Sequence, residues 1–258
     1  MTTALMRVMT TMIGLGAFVA LLLSARGQSS SAILVPAITL VVVTVLLFEL
    51  FFRGYRLWQF RALLWSVLIS GLGSISVVEW SRGQVLLSLY IAIAIAFVFD
   101  LAYFSLQDVQ LQMYIKGKRR MHAALWVFVM FLFSINTFAF GMFFPNAPSW
   151  VPHTLLGFVS SAIAFAIWQL YLGITLKKGG MWSIIIGLIM YELIWALHWL
   201  PYGFYVLGFA LTWLWYIAQL LIRFHLGPRG IIWKKQLKFL ILNAILIIVL
   251  FLFFARWI

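Results

Sequence analysis

Five carboxylic acids and four histidines are the side chains of this sequence best suited to proton transfer or metal binding. Two of the acids, Asp100 and Glu192, lie inside long apolar runs. An ionised acid inside a bilayer costs about 2.5–3.5 kcal/mol on insertion scales, so such acids mark functional sites by default. No Lys or Arg lies at the depth of Glu192. We therefore expect it to be protonated, hydrogen-bonded within a helix bundle, or facing a water-filled cavity.

The depths of the two acids follow from a helical rise of about 1.5 Å per residue. Asp100 lies about 24 Å along its run, in the third of the membrane nearest the cytoplasm, and Glu192 lies about 16 Å along its own run, close to the midplane. Two interpretations stay open for both. Each is either a proton-titrating or polar site residue, or a neutral acid that holds two helices together.

Further polar side chains lie in the same runs. His198 follows Glu192 by six residues and points about 120° away from it on a helix. It is either part of a proton relay or an amphipathic member of the aromatic belt at the headgroups. Buried amides are more often interhelical contacts than substrate ligands. The candidates of this kind are Asn136, Gln169, Gln219 and Asn243.

The remaining acids lie near basic residues or in a loop. Glu49 and Arg53 are four residues apart, which predicts an interfacial ion pair on one helix face. Glu79 lies close to Arg82 and has the same interpretation, whereas Asp108 lies in a loop.

No metal or cofactor pattern is evident. The four histidines fall on different runs or loops and on both sides of the membrane, whereas a zinc site needs several ligands at one depth. The chain has no Cys, which excludes disulfides, thiolate catalysis and Cys-ligated metals. It also has no glycine-rich phosphate loop and no Gly-x-Ser-x-Gly elbow. We expect neither metal nor cofactor.

The elements that position these residues follow from composition. The chain has 258 residues, of which 66% are hydrophobic and 9% charged, against roughly 25% charged in a soluble protein. One soluble core cannot bury so much apolar surface, so the solvent must be a bilayer. A span needs about 20 apolar residues. Nine runs qualify, at about 4–24, 32–52, 62–79, 84–105, 123–144, 152–175, 181–200, 202–222 and 239–257. They predict a single all-α membrane bundle.

The net charge is +13, and the basic residues are concentrated in alternate loops. These loops carry most of the basic residues, namely Arg53, Arg56, Arg61, Lys116, Lys118, Arg119, Arg120, Lys177, Lys178, Arg223, Arg229, Lys234, Lys235 and Lys238. The other loops hold only Arg26 and Arg82. The positive-inside rule then places the amino terminus in the cytoplasm and the carboxyl terminus outside. The basic residues indicate anionic lipid headgroups as partners, with no nucleic acid, and protein partners in the membrane stay possible.

Three segments allow alternatives. The first run is either a span or a cleaved signal peptide. Residues 105–120 alternate apolar and polar side chains, as in a short strand, or extend the fourth span as a helix or a headgroup segment. Residues 230–238 resemble an interfacial anchor before the last span.

The segment Phe48-Glu49-Leu50-Phe51-Phe52-Arg53-Gly54-Tyr55 resembles the first motif of the CAAX-processing-like (CPBP) intramembrane proteases, which has paired glutamates followed by Arg. Phe48 replaces the first glutamate, and only His198, four residues after Ile194, is a rough counterpart of the later motif. Glu49 and His198 are expected near opposite faces, so the protease interpretation is disfavoured.

The part of the chain after Tyr191 resembles uncharacterised bacterial polytopic membrane proteins. The resemblance lies in Glu192–Leu197, the Leu200-Pro201 turn, the basic segment Arg223–Lys238 and the terminal Ala255-Arg256-Trp257. It implies a family of unknown function and supplies no mechanism. We expect the bundle to lie in a bacterial-type inner membrane. Two function classes follow, a permease or transporter component that uses Glu192 and Asp100, or a structural or assembly subunit of a membrane complex. An enzyme ranks third because no complete catalytic constellation is present.

Overall fold

The chain folds as a set of α-helices, as the sequence predicts. The computed structural model describes residues 3–26, 30–53, 55, 57–77, 81–106, 112–144, 146–228, 230–231 and 233–254. Over these residues the helices are α1 (Thr3–Arg26), α2 (Ser30–Phe51), α3 (Trp58–Val77), α4 (Ser81–Leu106), α5 (Gln112–Phe143), α6 (Trp150–Leu172), α7 (Leu176–His198), α8 (Phe204–Leu226) and α9 (Trp233–Phe254). Each predicted run coincides with one helix, which confirms the all-α class for the described part.

Seven of the helices, α1 and α4 to α9, are long and apolar enough to cross a membrane. In α2 the described apolar stretch is shorter, Val35–Phe51. Helix α3 is outside the seven and carries a row of serines. Their hydroxyls donate to the carbonyl four residues earlier, as from Ser70 to Ser66 and from Ser74 to Ser70. Such bonds engage the hydroxyls with the backbone of their own helix.

Two helix ends differ from the prediction. Helix α5 begins at Gln112, so residues 112–120 are helical and extend the fifth span rather than the fourth. The strand interpretation is therefore wrong for them, and residues 107–111 lie outside the described part. Helix α6 ends at Leu172 because Gly173 adopts φ 61° and its N–H caps the Gln169 carbonyl. That left-handed conformation favours glycine and stops the helix.

The chain divides into two compact units, Met1–Leu125 and Trp126–Ile258. In the first unit α1 packs against α2 and α4, and α3 packs against α4. The core of this unit includes Phe48 on α2 and Phe99 on α4, whose rings meet edge to face at 5.3 Å. This unit positions Asp100 and Glu49.

In the second unit α6 packs closely against α7, both pack against α8, and α8 contacts α9. The α6–α7 contact depends on Gly157 and Gly187, since a Cβ added to either would lie 3.0 Å from the carbonyl oxygen of the other. Trp168 and Trp215 fill the space between α6 and α8 and are fully buried. This unit positions Glu192 and His198.

Candidate functional site

Glu192 lies on the outer surface of α7 rather than inside the helix bundle. Its side chain is exposed and makes no hydrogen bond or ion pair with any residue that the structure describes. Helix α7 begins at Leu176 and ends at His198, so Glu192 is about 24 Å from the start and about 9 Å from the end. The acid is therefore displaced from the midpoint of its helix toward the C-terminal end.

The residues around Glu192 form a continuous exposed stripe along α7. They recur every three or four residues, which is the spacing of one helix face. This α7 face consists of Met181, Ile184, Leu188, Glu192, Trp195 and Trp199. Apart from the acid, its members are large and apolar, and only 22% of α7 is buried, against 50% of the spans in α4 and α5.

His198 belongs to a small cluster of rings near the end of α7. The His153 ring from α6 lies 6.0 Å, between centroids, from both His198 and Tyr191. A Cβ on Gly141 of α5 would lie 3.0 Å from Cε1 of His198, so that ring rests against the α5 backbone. Two histidines thus share one depth, which the sequence did not indicate. No group of three potential metal ligands occurs among the described residues.

The other histidines also contact aromatic rings. His122 stacks on Phe60 at 5.0 Å in the first unit, and His225 meets Trp182 edge to face at 4.8 Å in the second. His122 is buried and fills space between helices of the first unit, whereas His225 is exposed.

Asp100 lies between α4 and α1, half-buried. The Thr10 side chain of α1 lies beside its carboxyl group, and Arg7 of α1 is near enough for its positive charge to act on it. The buried Oδ1 oxygen has no hydrogen-bond partner among the described residues. Sequence reasoning missed this grouping, because nothing in the α1 sequence indicates which of its faces meets α4.

The intramembrane amides mostly link helices or lie within the bundle. Asn243 of α9 accepts a hydrogen bond of 2.7 Å from the Trp213 indole of α8. Gln169 is half-buried and Gln219 fully buried, and the side-chain oxygen of each lacks a hydrogen-bond partner among the described residues. Asn136 is half-buried on α5. The helix-contact interpretation is supported directly for Asn243.

Glu49 forms an ion pair, but with Arg61 rather than with Arg53. Arg61 donates from Nε to Oε1 at 2.6 Å and from Nη2 to Oε2 at 2.9 Å. The prediction of Arg53 is wrong because α2 ends at Phe51, so Arg53 is not on the helix face of Glu49. Glu79 and Asp108 lie outside the described residues. The carboxylate of the protease-like motif is therefore held in this ion pair.

The predicted headgroup residues lie on helices rather than in loops. Lys116, Arg119 and Arg120 are exposed on the first turns of α5, with Lys118 partly exposed beside them. In α9, Lys234 and Lys238 are exposed in the first two turns, and the side chain of Lys235 lies outside the described part.

Two further polar contacts of the second unit come from tryptophans that sequence reasoning did not select. Trp168 of α6 donates its indole N–H to the Gln219 carbonyl at 3.0 Å, and Trp215 of α8 donates to the Ser160 carbonyl at 3.2 Å. Tryptophan is common both in cores and at membrane interfaces, so composition does not separate the two.

Comparison of the chain with family models, with curated proteins and with solved structures finds no match. The functional interpretation therefore depends on the geometry of these sites.

Proposed function

We propose that the protein is a non-catalytic subunit of a membrane complex and that the α7 face is its assembly surface. The partner is a transmembrane helix of another protein that carries a Lys or Arg at the depth of Glu192. The seven long apolar helices are those of an integral membrane protein. We further propose a bacterial-type inner membrane with the basic loops in the cytoplasm, which the charge pattern supports.

The exposure of Glu192 is the observation that carries this proposal. A carboxyl group on a lipid-facing surface lacks both water and an internal partner, and an ionised acid at that depth is costly. A basic side chain from a neighbouring helix would remove the cost through an ion pair with charge-assisted hydrogen bonds. An acid that serves as a transport site is expected to face the bundle interior or a water-filled cavity instead.

The charge distribution favours a different protein over a second copy of this chain. Apart from Arg7 near the start of α1, the described Lys and Arg side chains lie in basic loops or in the helix turns next to them. Glu192 lies near the opposite end of α7. Among the described side chains, a second copy inserted in the same orientation therefore offers no Lys or Arg at that depth.

The composition of the α7 face also fits packing against a helix. Leu188 and Trp195 flank the acid one turn before and one turn after it, and both are exposed. Without a hydrophobic driving force in lipid, helices associate through packing and interhelical hydrogen bonds. A partner helix would gain packing contacts from the large side chains and specificity from the acid.

A synthetic transmembrane helix tests the assembly proposal. We expect a Leu/Ala-rich peptide with one Lys at the depth of Glu192 to associate with the protein in vesicles more tightly than the same peptide with Leu. Interhelical polar contacts in membranes contribute about 0.6–1.7 kcal/mol, which corresponds to about threefold to twentyfold in affinity. Energy transfer between labelled peptide and protein measures this difference.

Two variants serve as controls. Glu192→Leu should bind both peptides equally. Moving the acid along the same face, with Ile184→Glu in the Glu192→Leu background, should transfer the preference to a peptide whose Lys is shifted by eight residues. Equal binding of the Lys and Leu peptides to the unaltered protein would contradict the proposal.

A permease component is the second candidate, and Asp100 is the observation that favours it. Asp100 lies close to the Thr10 hydroxyl and the Arg7 side chain, and its buried Oδ1 has no described hydrogen-bond partner. Such an acid could bind and release a proton. If the protein is a permease component, we expect vesicles that contain it to take up protons under an imposed membrane potential. The Asp100→Asn variant should abolish this proton flux. A flux unchanged in Asp100→Asn, or no flux at all, excludes this role.

A further inference from the structure

We propose that the groove between α1 and α2 binds one acyl chain of an anionic phospholipid, on the membrane side where the basic loops lie. The inference concerns the first unit alone and is independent of the α7 face.

The groove is apolar and has a volume of about 400 Å³. Met12, Gly16 and Ala20 line it from α1, and Val43 and Leu47 line it from α2. The polar lining residues are threonines, and the Thr39 hydroxyl donates to the Val35 carbonyl of its own helix. The groove therefore offers an apolar surface without directed polar groups, which suits a hydrocarbon chain.

Space in the groove remains open at its centre. A Cβ added to Gly16 would meet no atom within 4 Å, so the glycine leaves room that no described side chain fills. Met12 and Val43 on the rims are exposed, which makes the groove accessible from the side. One wall is the candidate span of α1 and the other is the shorter apolar segment Val35–Phe51 of α2, so we infer that lipid is the medium at this opening.

The dimensions favour a single chain over a helix. The lining runs from Val8 to Ala20 along α1, about 18 Å, close to the roughly 15 Å of hydrocarbon in one leaflet. A helix with its side chains is about 10–12 Å across, much wider than one extended hydrocarbon chain, so an opening of this size suits a lipid chain better than a helix.

Two arginines at one end of the groove favour a lipid with an anionic headgroup. Arg7 immediately precedes Val8, and Arg53 follows Phe51 by two residues, so both walls end in an exposed arginine on the same side. Arg53 forms no ion pair with a described residue, since Glu49 is taken by Arg61. Arginine binds phosphate oxygens strongly, and basic residues beside apolar segments select anionic lipids.

Native mass spectrometry of the full-length, delipidated protein tests this site with phosphatidylglycerol and phosphatidylcholine that carry identical oleoyl chains. We expect one phosphatidylglycerol to be retained at low lipid concentration and phosphatidylcholine to bind more weakly. Gly16→Trp should lower the affinity for phosphatidylglycerol at least tenfold, because the indole occupies the groove. Arg53→Gln should reduce the preference for phosphatidylglycerol and leave binding of phosphatidylcholine nearly unchanged.

Leu15→Trp is the matched control, since Leu15 is the neighbouring residue and is exposed outside the groove lining. It should bind lipid as the unaltered protein does. Val43→Phe fills the groove from the other wall and keeps the test decisive if Gly16→Trp fails to fold. Lipid retention unchanged by both filling variants, equal affinity for the two lipids, or no retained lipid would overturn the proposal. A protein helix cross-linked at the groove in place of lipid would also overturn it.

Discussion

Replacing Gly187 by Leu is expected to separate α6 from α7 and to lower the free energy of unfolding of the second unit. Overpacking of a well-packed site costs about 1–3 kcal/mol, and the upper end applies where the obstacle is backbone. Here an added Cβ would lie 3.0 Å from the Gly157 carbonyl oxygen and would also collide with the Ser161 hydroxyl. The midpoint of SDS-induced unfolding in mixed micelles measures the loss.

The surroundings of Gly187 leave little room for relaxation. Ser161 is held by a hydrogen bond of 3.0 Å to the Gly157 carbonyl, and Ser183 donates to the Ser161 carbonyl at 2.8 Å. A larger side chain must therefore push the two helix backbones apart. Close approach through small residues is how membrane helices gain packing contacts, so the separation removes much of what joins α6 to α7.

Gly180→Leu is the matched control on the same helix. A Cβ there meets only the Leu176 side chain, at 3.8 Å, which is ordinary van der Waals contact. Because glycine is a poor helix former, we expect this variant to be neutral or slightly stabilising. Equal destabilisation by Gly180→Leu and Gly187→Leu would show that the α6–α7 approach is not the cause.

Trp168→Ala is the second substitution with a large expected effect, a loss of about 3–5 kcal/mol in the free energy of unfolding. The Trp168 side chain is fully buried, so its removal leaves a large cavity between α6 and α8. It also removes the indole donor to the Gln219 carbonyl. The same SDS titration reports the loss, and near-ultraviolet circular dichroism reports loosened packing around Trp215.

Two further variants separate the contributions at this position. Trp168→Phe keeps an aromatic ring but removes the hydrogen bond, and a typical net hydrogen bond contributes about 0.5–1.5 kcal/mol. We therefore expect a smaller loss than for Ala. Trp150→Ala removes the same side chain from an exposed position on α6 and should leave the unfolding midpoint nearly unchanged in detergent. A Trp168→Ala midpoint no lower than that of Trp150→Ala would refute the assignment of Trp168 to the core.

Both substitutions also bear on the proposed function. Neither substituted residue belongs to the α7 face, so a variant that folds should retain its preference for the Lys-bearing peptide. Glu192→Leu should have the opposite pattern, with lost preference and unchanged stability. The assembly surface and the core that holds it in shape can therefore be perturbed separately.

Much of the fold was determined by the sequence alone. Long apolar runs leave the backbone no solvent to hydrogen-bond with, so each must form a helix that satisfies its own backbone groups. Charged residues and prolines interrupt the runs, which explains why the predicted spans coincide with the helices and why the tight connection around Pro201 joins α7 to α8. The identity of the intramembrane acids is likewise visible in composition.

The direction in which each side chain points was decided only by the tertiary structure. These helices are apolar on nearly every face, so no polar stripe marks the side that will be buried. That is why Glu192 could be placed in depth but not assigned to the outer face of α7. Arg61 replaced Arg53 as the partner of Glu49 because the packing of α2 and the end of that helix at Phe51, rather than sequence spacing, set the contact. The approach of Thr10 and Arg7 to Asp100, and of His153 to His198, joins residues far apart in the chain, and only helix packing brings them together.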